Sequence, residues 1–325
     1  MVASPLTGLS ATERELAPDA PAPRHAELMK AVLERTSFSD PGWIFERKLD
    51  GIRCLAVREH EEVRMLSRND LDLAGRYPEV RDALAAQEHR RFAIDGEVVA
   101  FDGVQTSFAR LAARAREPVP VFFYIFDLLW MDGHDVRALD VRTRKRLLRR
   151  ALQFGDPLRW TAHRNRDGEA MFTEACRKGW EGVIAKRADS PYQATRSRDW
   201  RKFKCEAGQE LVIAGFTAPR GSRTDFGALL VGYYRDGALQ YAGKVGTGFD
   251  HELLDSLGRR LRALRRETSP FADPGSIRER DVTWVKPELV AQLGFTEWTR
   301  AGRLRHPRFL GLRDDKPATE VVRER

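Results

Sequence analysis

Short β-type runs separated by Asp-Gly turns constrain the fold of this chain more than any other feature. They predict strands at Trp43–Arg47, Ile52–Arg58, Val63–Ser67, Phe92–Phe101, Val121–Leu129 and Gly182–Lys186. A helix is predicted before them at Ala26–Arg35, and further helices lie between them at Tyr77–Gln87, Leu139–Phe154 and Glu169–Lys178. Strands and helices mix without a regular βαβ order, so we predict an α+β domain rather than a doubly wound parallel sheet.

The pattern changes after Cys205. Strands are predicted at Glu210–Phe216, Ala228–Arg235, Ala238–Val245, Leu289–Glu297 and Phe309–Leu312, and a basic helix at about Asp250–Arg266. Short strands with one helix are typical of a small Greek-key barrel such as an OB-fold. We therefore predict a flexible Ala/Pro-rich leader at 1–22, an α+β domain at 23–206, a barrel domain at 207–316 and a tail at 317–325.

Composition limits the classes of function. The 325 residues suffice for two domains. Lys and Arg number 56 against 48 Asp and Glu, and this excess favours a polyanionic partner such as nucleic acid. No apolar run is long enough for a membrane span, and no secretory signal is visible. Cys54, Cys176 and Cys205 lie far apart in the sequence, so we expect neither a disulfide framework nor a zinc cluster. We expect the protein to reside in the reducing cytoplasm.

The segment Glu46–Arg53 places a lysine at the end of one strand, before an Asp-Gly turn. A hairpin with a solvated lysine is the simple interpretation. As a nucleophile, Lys48 would have to lose its proton, which requires nearby cations or a desolvated pocket. Arg53 and distant lysines are candidates for those cations.

Three further segments combine charges with apolar strands. In Ala93–Val99 the alternation puts Asp95 and Glu97 on one face, which favours a metal, a sugar hydroxyl or a salt bridge. In Glu181–Lys186 a carboxylate begins the strand and a lysine ends it. In Trp200–Lys204 two lysines share a face, either to hold a phosphate or to form an exposed basic edge.

The aromatic strand Phe122–Leu129 is typical of a core, although a ring at its end is also suited to stacking on a purine. The order of all these motifs resembles that of the covalent nucleotidyltransferases, which are DNA ligases, RNA ligases and mRNA capping enzymes. The segments Glu181–Tyr192, Ser197–Lys204, Glu210–Tyr234 and Leu304–Lys316 resemble the ATP-dependent DNA ligase module of bacterial non-homologous end joining. The resemblance extends from about Pro23 to Lys316 and implies a nucleotidyltransferase (adenylation) domain of antiparallel sheets with flanking helices, followed by an OB-fold domain.

The resemblance implies a role for each matching residue. Lys48 would attack the α-phosphorus of ATP and keep AMP as a phosphoramidate, with Asp50 of the same motif counted among the catalytic residues. Glu46 would recognise the adenine edge. Arg53 would hold the ribose and the reacting phosphate.

Acidic and basic residues of the later motifs would complete the site. Glu97 would contact the ribose or a metal, and Glu181 would bind Mg²⁺, with Mn²⁺ as the alternative. Lys202 and Lys204 would hold the α-phosphate and neutralise charge as pyrophosphate leaves.

Phe126, or Tyr124 in its place, would stack on adenine, and Arg68 would receive the 5′-phosphate of the nick. In the barrel, Arg305, Arg313 and Lys316 would orient the β- and γ-phosphates when that domain closes over ATP. AMP would then pass to the 5′-phosphate of DNA, and the 3′-hydroxyl would displace it to seal the strand.

The implied partner is nicked or broken duplex DNA, in end-joining repair near the nucleoid. Arginines of two helices, Leu139–Phe154 and Asp250–Arg266, would supply phosphate contacts unless they form an ordinary solvated face. Few residues precede Lys48, so we expect a monomeric minimal ligase or a piece of a larger protein, aided by a Ku-type end-binding protein or a separate polymerase. An RNA ligase, a GTP-dependent capping-type enzyme and a non-enzymatic DNA-binding protein are the alternatives.

Overall fold

The computed structural model describes residues 4–205, 207–219 and 224–324. The chain divides into two compact units, Met1–Cys205 and Glu206–Arg325. The strands of the first unit are β1 (Lys30–Leu33), β2 (Trp43–Lys48), β3 (Ile52–Glu59), β4 (Glu62–Ser67), β5 (Arg91–Asp102), β6 (Gln105–Thr106), β7 (Val121–Met131), β8 (His134–Asp135), β9 (Leu158–Trp160), β10 (His163–Asn165), β11 (Gly182–Arg187) and β12 (Arg196–Lys204). Its α-helices are α1 (Ala11–Glu15), α2 (Pro78–Ala85), α3 (Phe108–Ala113), α4 (Val141–Ala151) and α5 (Gly168–Arg177), preceded by a 3-10 turn at Pro5–Gly8.

The strands of the first unit form two sheets. The seven-stranded large sheet has the order β4-β3-β5-β7-β8, with β6 paired to β5 and β9 to β7. The five-stranded small sheet has the order β1-β12-β11-β2-β10. Most neighbours are antiparallel, and β1–β12 and β7–β9 are parallel. The predicted α+β class with mainly antiparallel sheets is confirmed.

Strand alternation gives the large sheet two buried faces. Cys54 and Ala56 of β3 belong to the main core, together with apolar residues of α2 and α4. Their neighbours Leu55 and Val57 belong to a second cluster that also contains Trp200 of the small sheet. Because successive side chains of a strand point to opposite faces, the second cluster lies between the two sheets.

The opposite face of the small sheet packs on α5. Phe45, Val183 and Phe203 form a buried cluster with Met171 and Ala175 of that helix. The side chains that alternate with these residues therefore face the large sheet, which is where the charged motifs lie.

The second unit is a curved, mainly antiparallel β domain with one α-helix in the described ranges. Its elements are β13 (Ala207–Thr217), β14 (Leu229–Arg235), β15 (Ala238–Val245), α6 (His251–Ala263), β16 (Arg265–Arg266), β17 (Val282–Phe295), β18 (Glu297–Trp298), β19 (Leu304–Arg305) and β20 (Arg308–Arg313), with 3-10 turns at Pro274–Ser276 and Ala318–Glu320. The sheet order is β15-β14-β13-β17-β16, with β20 also on β17. This arrangement agrees with the predicted OB-fold class. No helix in the described ranges is long and apolar enough to cross a membrane.

Two predictions near the N-terminus differ from the structure. In place of a helix at Ala26–Arg35, the chain forms β1, which pairs with β12. This long-range pairing outweighs a short helical pattern. In place of a flexible leader, Leu9 and Ala17 are buried in the main core, and Ser10 forms a capping box with Glu13 at the start of α1. Burial of these apolar side chains orders the segment.

The expectation about cysteines is also wrong for one pair. Cys176 and Cys205 are joined by a disulfide, and Cys54 is a buried free thiol. The bridge connects the last turn of α5 to the residue that follows β12. It could not be inferred from spacing, because the two cysteines meet only when the small sheet packs on α5.

We predict that reduction of this bridge destabilises the first unit. It closes a separation of 29 residues, and a loop of that size corresponds to about 3.6 kcal/mol of unfolded-state entropy at 25 °C. Calorimetry with and without reductant should show a lower melting temperature after reduction. In a Cys176→Ser variant the reductant should have no effect, and an unchanged melting temperature in the parent protein would contradict the prediction.

Candidate active site

The register of the small sheet places two predicted site lysines in one row. Gly182 of β11 lies opposite Lys48 of β2 and also opposite Lys204 of β12. Directly opposed residues share a face, and strands lie about 4.8 Å apart, so the two lysine backbones are roughly 10 Å apart with no side chain between them. Gly182 has φ of 151°, and an added Cβ would lie 1.8 Å from the carbonyl oxygen of Phe203.

The next rows continue the same face. Ile184 lies opposite Glu46 and Lys202, and Lys186 lies opposite Trp200. The sheet therefore presents one carboxylate and four lysines, from three strands, toward the large sheet. The sequence motifs predict these residues separately, and the strand pairing brings them together.

The ammonium group of Lys48 is paired with an acid. Its Nζ lies 2.5 Å from Oε2 of Glu181, and both side chains are mostly buried. Burial opposes the charged form of Lys48, but Glu181 outweighs it, with help from Glu97 and Asp50, so the pKa of Lys48 is raised. Of the two conditions considered for a neutral amine, burial is present, and the charged groups that act most on Lys48 are acids rather than cations.

Asp50 fixes the turn that follows the lysine. Its carboxylate accepts a hydrogen bond from the backbone N–H of Phe108 at 2.9 Å, at the start of α3. Its own N–H donates to Oγ1 of Thr106 at 3.1 Å. At Gly51, an added Cβ would lie 2.2 Å from the carbonyl oxygen of Val98. Asp50 thus builds the turn and contributes negative charge near Lys48.

Arg53 is anchored in the large sheet. Its Nε and Nη2 donate to the two carboxylate oxygens of Asp95 at 2.5 and 2.6 Å, and Nη2 also donates to the carbonyl of Met29 at 3.1 Å. Burial opposes the charge, but Asp95 outweighs it, so the pKa of Arg53 is raised. Glu97 lies directly opposite Arg53 in the β3–β5 register.

Phe126 borders the space between the sheets. Nζ of Lys186 lies 4.5 Å from the centre of its ring, and the guanidinium of Arg53 lies 4.8 Å from it. Its alternative, Tyr124, accepts a hydrogen bond from Arg159 at 3.2 Å. Tyr124 also lies directly opposite Glu97 in the β5–β7 register. Phe126 is the ring that lies against the cations of Arg53 and Lys186.

Glu46 is held by two buried lysines. Lys145 Nζ lies 2.5 Å from its Oε1, and Lys186 Nζ lies 2.8 Å from its Oε2. Burial would raise the pKa of Glu46, but Lys145 and Lys186 outweigh it and lower the pKa. Burial lowers the pKa of Lys145, and repulsion from Lys186 adds to this effect against the attraction of Glu46.

Sequence reasoning did not assign roles to these two lysines. Lys186 stands in the Glu181–Lys186 motif, and its period-two spacing from Gly182 indicates the site face. Lys145 follows Val141 by four positions and precedes Leu148 by three, on the buried face of α4. A lysine on a buried face needs an acidic partner. The spacing of Lys145 from its apolar neighbours could therefore have indicated a buried ion pair.

Other predicted residues lie outside this group. Arg68 directly follows β4, at the edge of the large sheet. Three barrel residues have acidic partners within the second unit: Arg305 with Glu297 at 2.6 Å, Arg313 with Asp315 at 2.7 Å, and Lys316 with Glu210 at 3.3 Å.

Several arginines of the two basic helices are paired locally. In α4, Arg144 is buried against Asp127, and Arg146 pairs with Glu13 at 2.9 Å. In α6, three arginines have acidic partners: Arg259 with Asp255, Arg260 with Asp314, and Arg262 with Asp225. Arg144 is therefore neither on a solvated face nor available to DNA. For the other four arginines, which are exposed, the local acidic partners favour an ordinary solvated face over an array reserved for DNA.

We predict that Glu181→Gln makes Lys48 more reactive toward amine reagents. Loss of the carboxylate leaves burial as the main influence, which lowers the pKa of Lys48 and enlarges the neutral fraction about tenfold per pKa unit. Acetylation at about pH 9, read by peptide mass spectrometry, should rise at Lys48 relative to Lys178. As a matched control, Glu174→Gln should change Lys178 little, because the Lys178 side chain is 42% exposed, against 18% for Lys48. Equal Lys48 reactivity in both proteins would refute the assignment.

We also predict that Gly182→Ala is much more costly than Gly237→Ala. Both glycines have positive φ, but nothing lies within 4 Å of a Cβ at Gly237. The steric conflict at Gly182 should add about 3 kcal/mol to a backbone cost of about 1 kcal/mol. Urea unfolding of both variants measures the difference, and equal losses would contradict the predicted close contact.

Comparisons with known proteins match both units. The family model described as ATP dependent DNA ligase domain matches residues 23–204, more than half of the chain. The model described as ATP dependent DNA ligase C terminal region matches residues 222–316.

Relatives and a solved structure agree with these matches. The multifunctional non-homologous end joining protein LigD of Pseudomonas aeruginosa is 39% identical over 292 residues, covering 87% of this chain and 35% of that protein. The corresponding LigD protein of Mycobacterium tuberculosis is 40% identical over 287 residues, covering 87% and 37%. This chain thus spans about a third of the length of these relatives. A structure of mycobacterial DNA ligase D complexed with ATP and MES has a TM-score of 0.66 and 37% identity, covering 91% of this chain and 98% of that one. The chain belongs to the ATP-dependent DNA ligase family.

Proposed function

We propose that this chain is an ATP-dependent DNA ligase module that seals breaks in duplex DNA through a lysyl-AMP intermediate. The observation that carries the proposal is the position of Lys48, which is mostly buried beside Glu181 and lies in one row with Lys204. Family membership supplies the nucleotide and the substrate class. Lysine chemistry of this kind needs positioning and electrostatics more than a separate acid or base.

In the first step, the neutral amine of Lys48 attacks the α-phosphorus of ATP. A P–N bond forms, the bond to the bridging oxygen breaks, pyrophosphate leaves, and the amine proton passes to solvent. In the structure the amine is paired with Glu181, which raises its pKa and favours the protonated form. The reaction therefore requires Glu181 to take another partner, after which burial favours the neutral amine.

The nucleotide would lie between the two sheets. Lys202 and Lys204 would hold the α-phosphate and balance the charge of departing pyrophosphate. Glu46 would accept from the adenine amino group, and Phe126 would stack on the base. Arg53 would approach the ribose and the α-phosphate from the large sheet.

The acids near Lys48 suit a divalent cation. Glu97 and Glu181 both raise the pKa of Lys48, so both carboxylates lie near its ammonium group. No cluster of three or more metal-ligating side chains occurs in the described ranges. Mg²⁺ commonly uses one or two carboxylates plus substrate phosphates, so this pair fits, with Mn²⁺ as the alternative. When bound, such an ion supplies positive charge to the phosphates.

In the DNA steps, AMP passes to the 5′-phosphate, and the 3′-hydroxyl then displaces AMP and forms the phosphodiester. We propose Arg68 as a contact of the 5′-phosphate. We assign Arg305, Arg313 and Lys316 to the β- and γ-phosphates in a closed state of the barrel domain. Names of relatives support a role in end joining. A Ku-type end-binding protein or a separate polymerase as partner, a monomeric state and a nucleoid location are parts of the same proposal.

We predict that incubation with ATP and Mg²⁺ adds the mass of one AMP to the protein. Intact mass spectrometry should show the increment, and added pyrophosphate should remove it. Lys48→Ala should stay unlabelled because its side chain has no amine, and a chelator should prevent labelling of the parent. The adenylated protein should then seal nicked DNA without further ATP, as followed on a denaturing gel.

The alternatives give different outcomes in the same assay. A stable adduct with GTP would favour a capping-type enzyme, and sealing of nicked RNA alone would favour an RNA ligase. Labelling of Lys48→Ala would show that the nucleophile is a different residue.

A further inference from the structure

The buried group of Glu46, Lys145 and Lys186 has more positive than negative charge. All three side chains are at most 3% exposed, and both carboxylate oxygens of Glu46 already have an ammonium partner. The nearby Asp127 is paired with Arg144, also fully buried, at 2.7 Å. The two lysines therefore share one carboxylate, and an excess buried charge is costly.

The geometry of Lys145 is suited to holding Glu46 in place. Besides Glu46, its ammonium donates to the carbonyl oxygen of Thr161 at 3.0 Å and lies 4.3 Å from the centre of the Trp160 ring. These contacts fix the ammonium from two other sides. With one lysine on each oxygen, the plane of the Glu46 carboxylate is fixed, and its remaining lone pairs can accept a further donor.

Polar atoms beside this group lack partners. Thr161 Oγ1 and His163 Nδ1 are buried without a hydrogen-bond partner in the described part of the chain. His163 lies directly opposite Glu46 in the β10–β2 register, on the same face. Buried polar atoms normally have partners, so these two atoms leave room for a polar ligand or an ordered water to complete the hydrogen bonding beside Glu46.

We propose that Lys145 is a positioning residue that fixes the Glu46 carboxylate for the 6-amino group of adenine. This inference rests on the proposed ATP-dependent function. The 6-amino group donates a hydrogen bond, whereas purine riboside carries only hydrogen at this position. A fixed, ionised acceptor distinguishes the two bases, and an acceptor that can rotate away distinguishes them less well.

Lys145 is a better test of this role than Lys186. Lys186 contacts Trp200 and also Phe126, the ring proposed to stack on the base, so its loss would also change stacking. Lys145 reaches Glu46 from α4, and its own ring contact is Trp160. Lys145→Met removes the charge with little change in side-chain length.

The experiment measures binding without reaction. In a Lys48→Ala background with Mg²⁺, calorimetric titrations compare ATP with purine riboside triphosphate. We expect ATP to bind on the order of tenfold more tightly, as for a hydrogen bond to a charged group. Lys145→Met should reduce the preference to about twofold, whereas Lys145→Arg should retain most of it.

A stability control separates positioning from folding. Arg58 is another buried cation, bonded to the carbonyl oxygens of Leu84 and His89 at 3.1 and 3.2 Å, away from the site residues. Arg58→Met should lower the melting temperature and keep the ATP preference. If Lys145→Met does not fold, Lys145→Gln is measured in its place, with the same expected loss.

The outcomes distinguish this inference from the proposed function. A folded Lys145→Met or Lys145→Gln protein that keeps the full preference for ATP overturns the positioning role. Absence of ATP binding in the Lys48→Ala background, together with absence of labelling in the parent protein, overturns the proposed function itself.

Discussion

The register in which β2, β11 and β12 pair is the constraint on which the candidate site depends. A shift of one residue would turn Lys48 and Glu46 toward α5 and place Phe45 in the space between the sheets. Two close contacts resist such a shift. Gly182 lies against the backbone of β12, and Gly51 lies against the backbone of β5. Because a side chain fits at neither position, both the pairing of the small sheet and the turn after Lys48 are fixed by the backbone.

Within this register, the mostly buried Lys48 and the fully buried Lys145 have opposite electrostatic environments. Lys48 faces Glu181, Glu97 and Asp50, and its pKa is raised. Lys145 shares Glu46 with Lys186, and its pKa is lowered. Burial acts in the same direction on both lysines, so the ratio of acids to cations decides the outcome. At an effective dielectric of 20, one charge at 4 Å contributes about 4 kcal/mol, which is enough to reverse the effect of burial.

The sequence predicts the local elements and the faces of the strands well, because alternation and turn chemistry are local. Period-two spacing places Glu46 and Lys48 on one face of their strand. The same spacing places Lys202 and Lys204 on one face of theirs. The sequence could not predict β1 or the Cys176–Cys205 bridge, since both depend on segments far apart in the chain. The same reason explains the basic helix α4. Arg144 and Lys145 appear in the sequence as part of a charged run, and only tertiary packing shows that they are buried partners of Asp127 and Glu46.

The pairing of Lys48 with Glu181 has a consequence for the order of events in the proposed reaction. A protonated amine cannot attack phosphorus, so the ion pair with Glu181 would hold the proposed nucleophile in an unreactive form. The carboxylate that holds it is also one of the two acids suited to the divalent cation. Arrival of the nucleotide with its cation would therefore compete for Glu181 at the moment when the amine is needed. In this way the Lys48–Glu181 ion pair would fix the position of the lysine side chain before the nucleotide binds. It would also couple deprotonation of the amine to substrate binding.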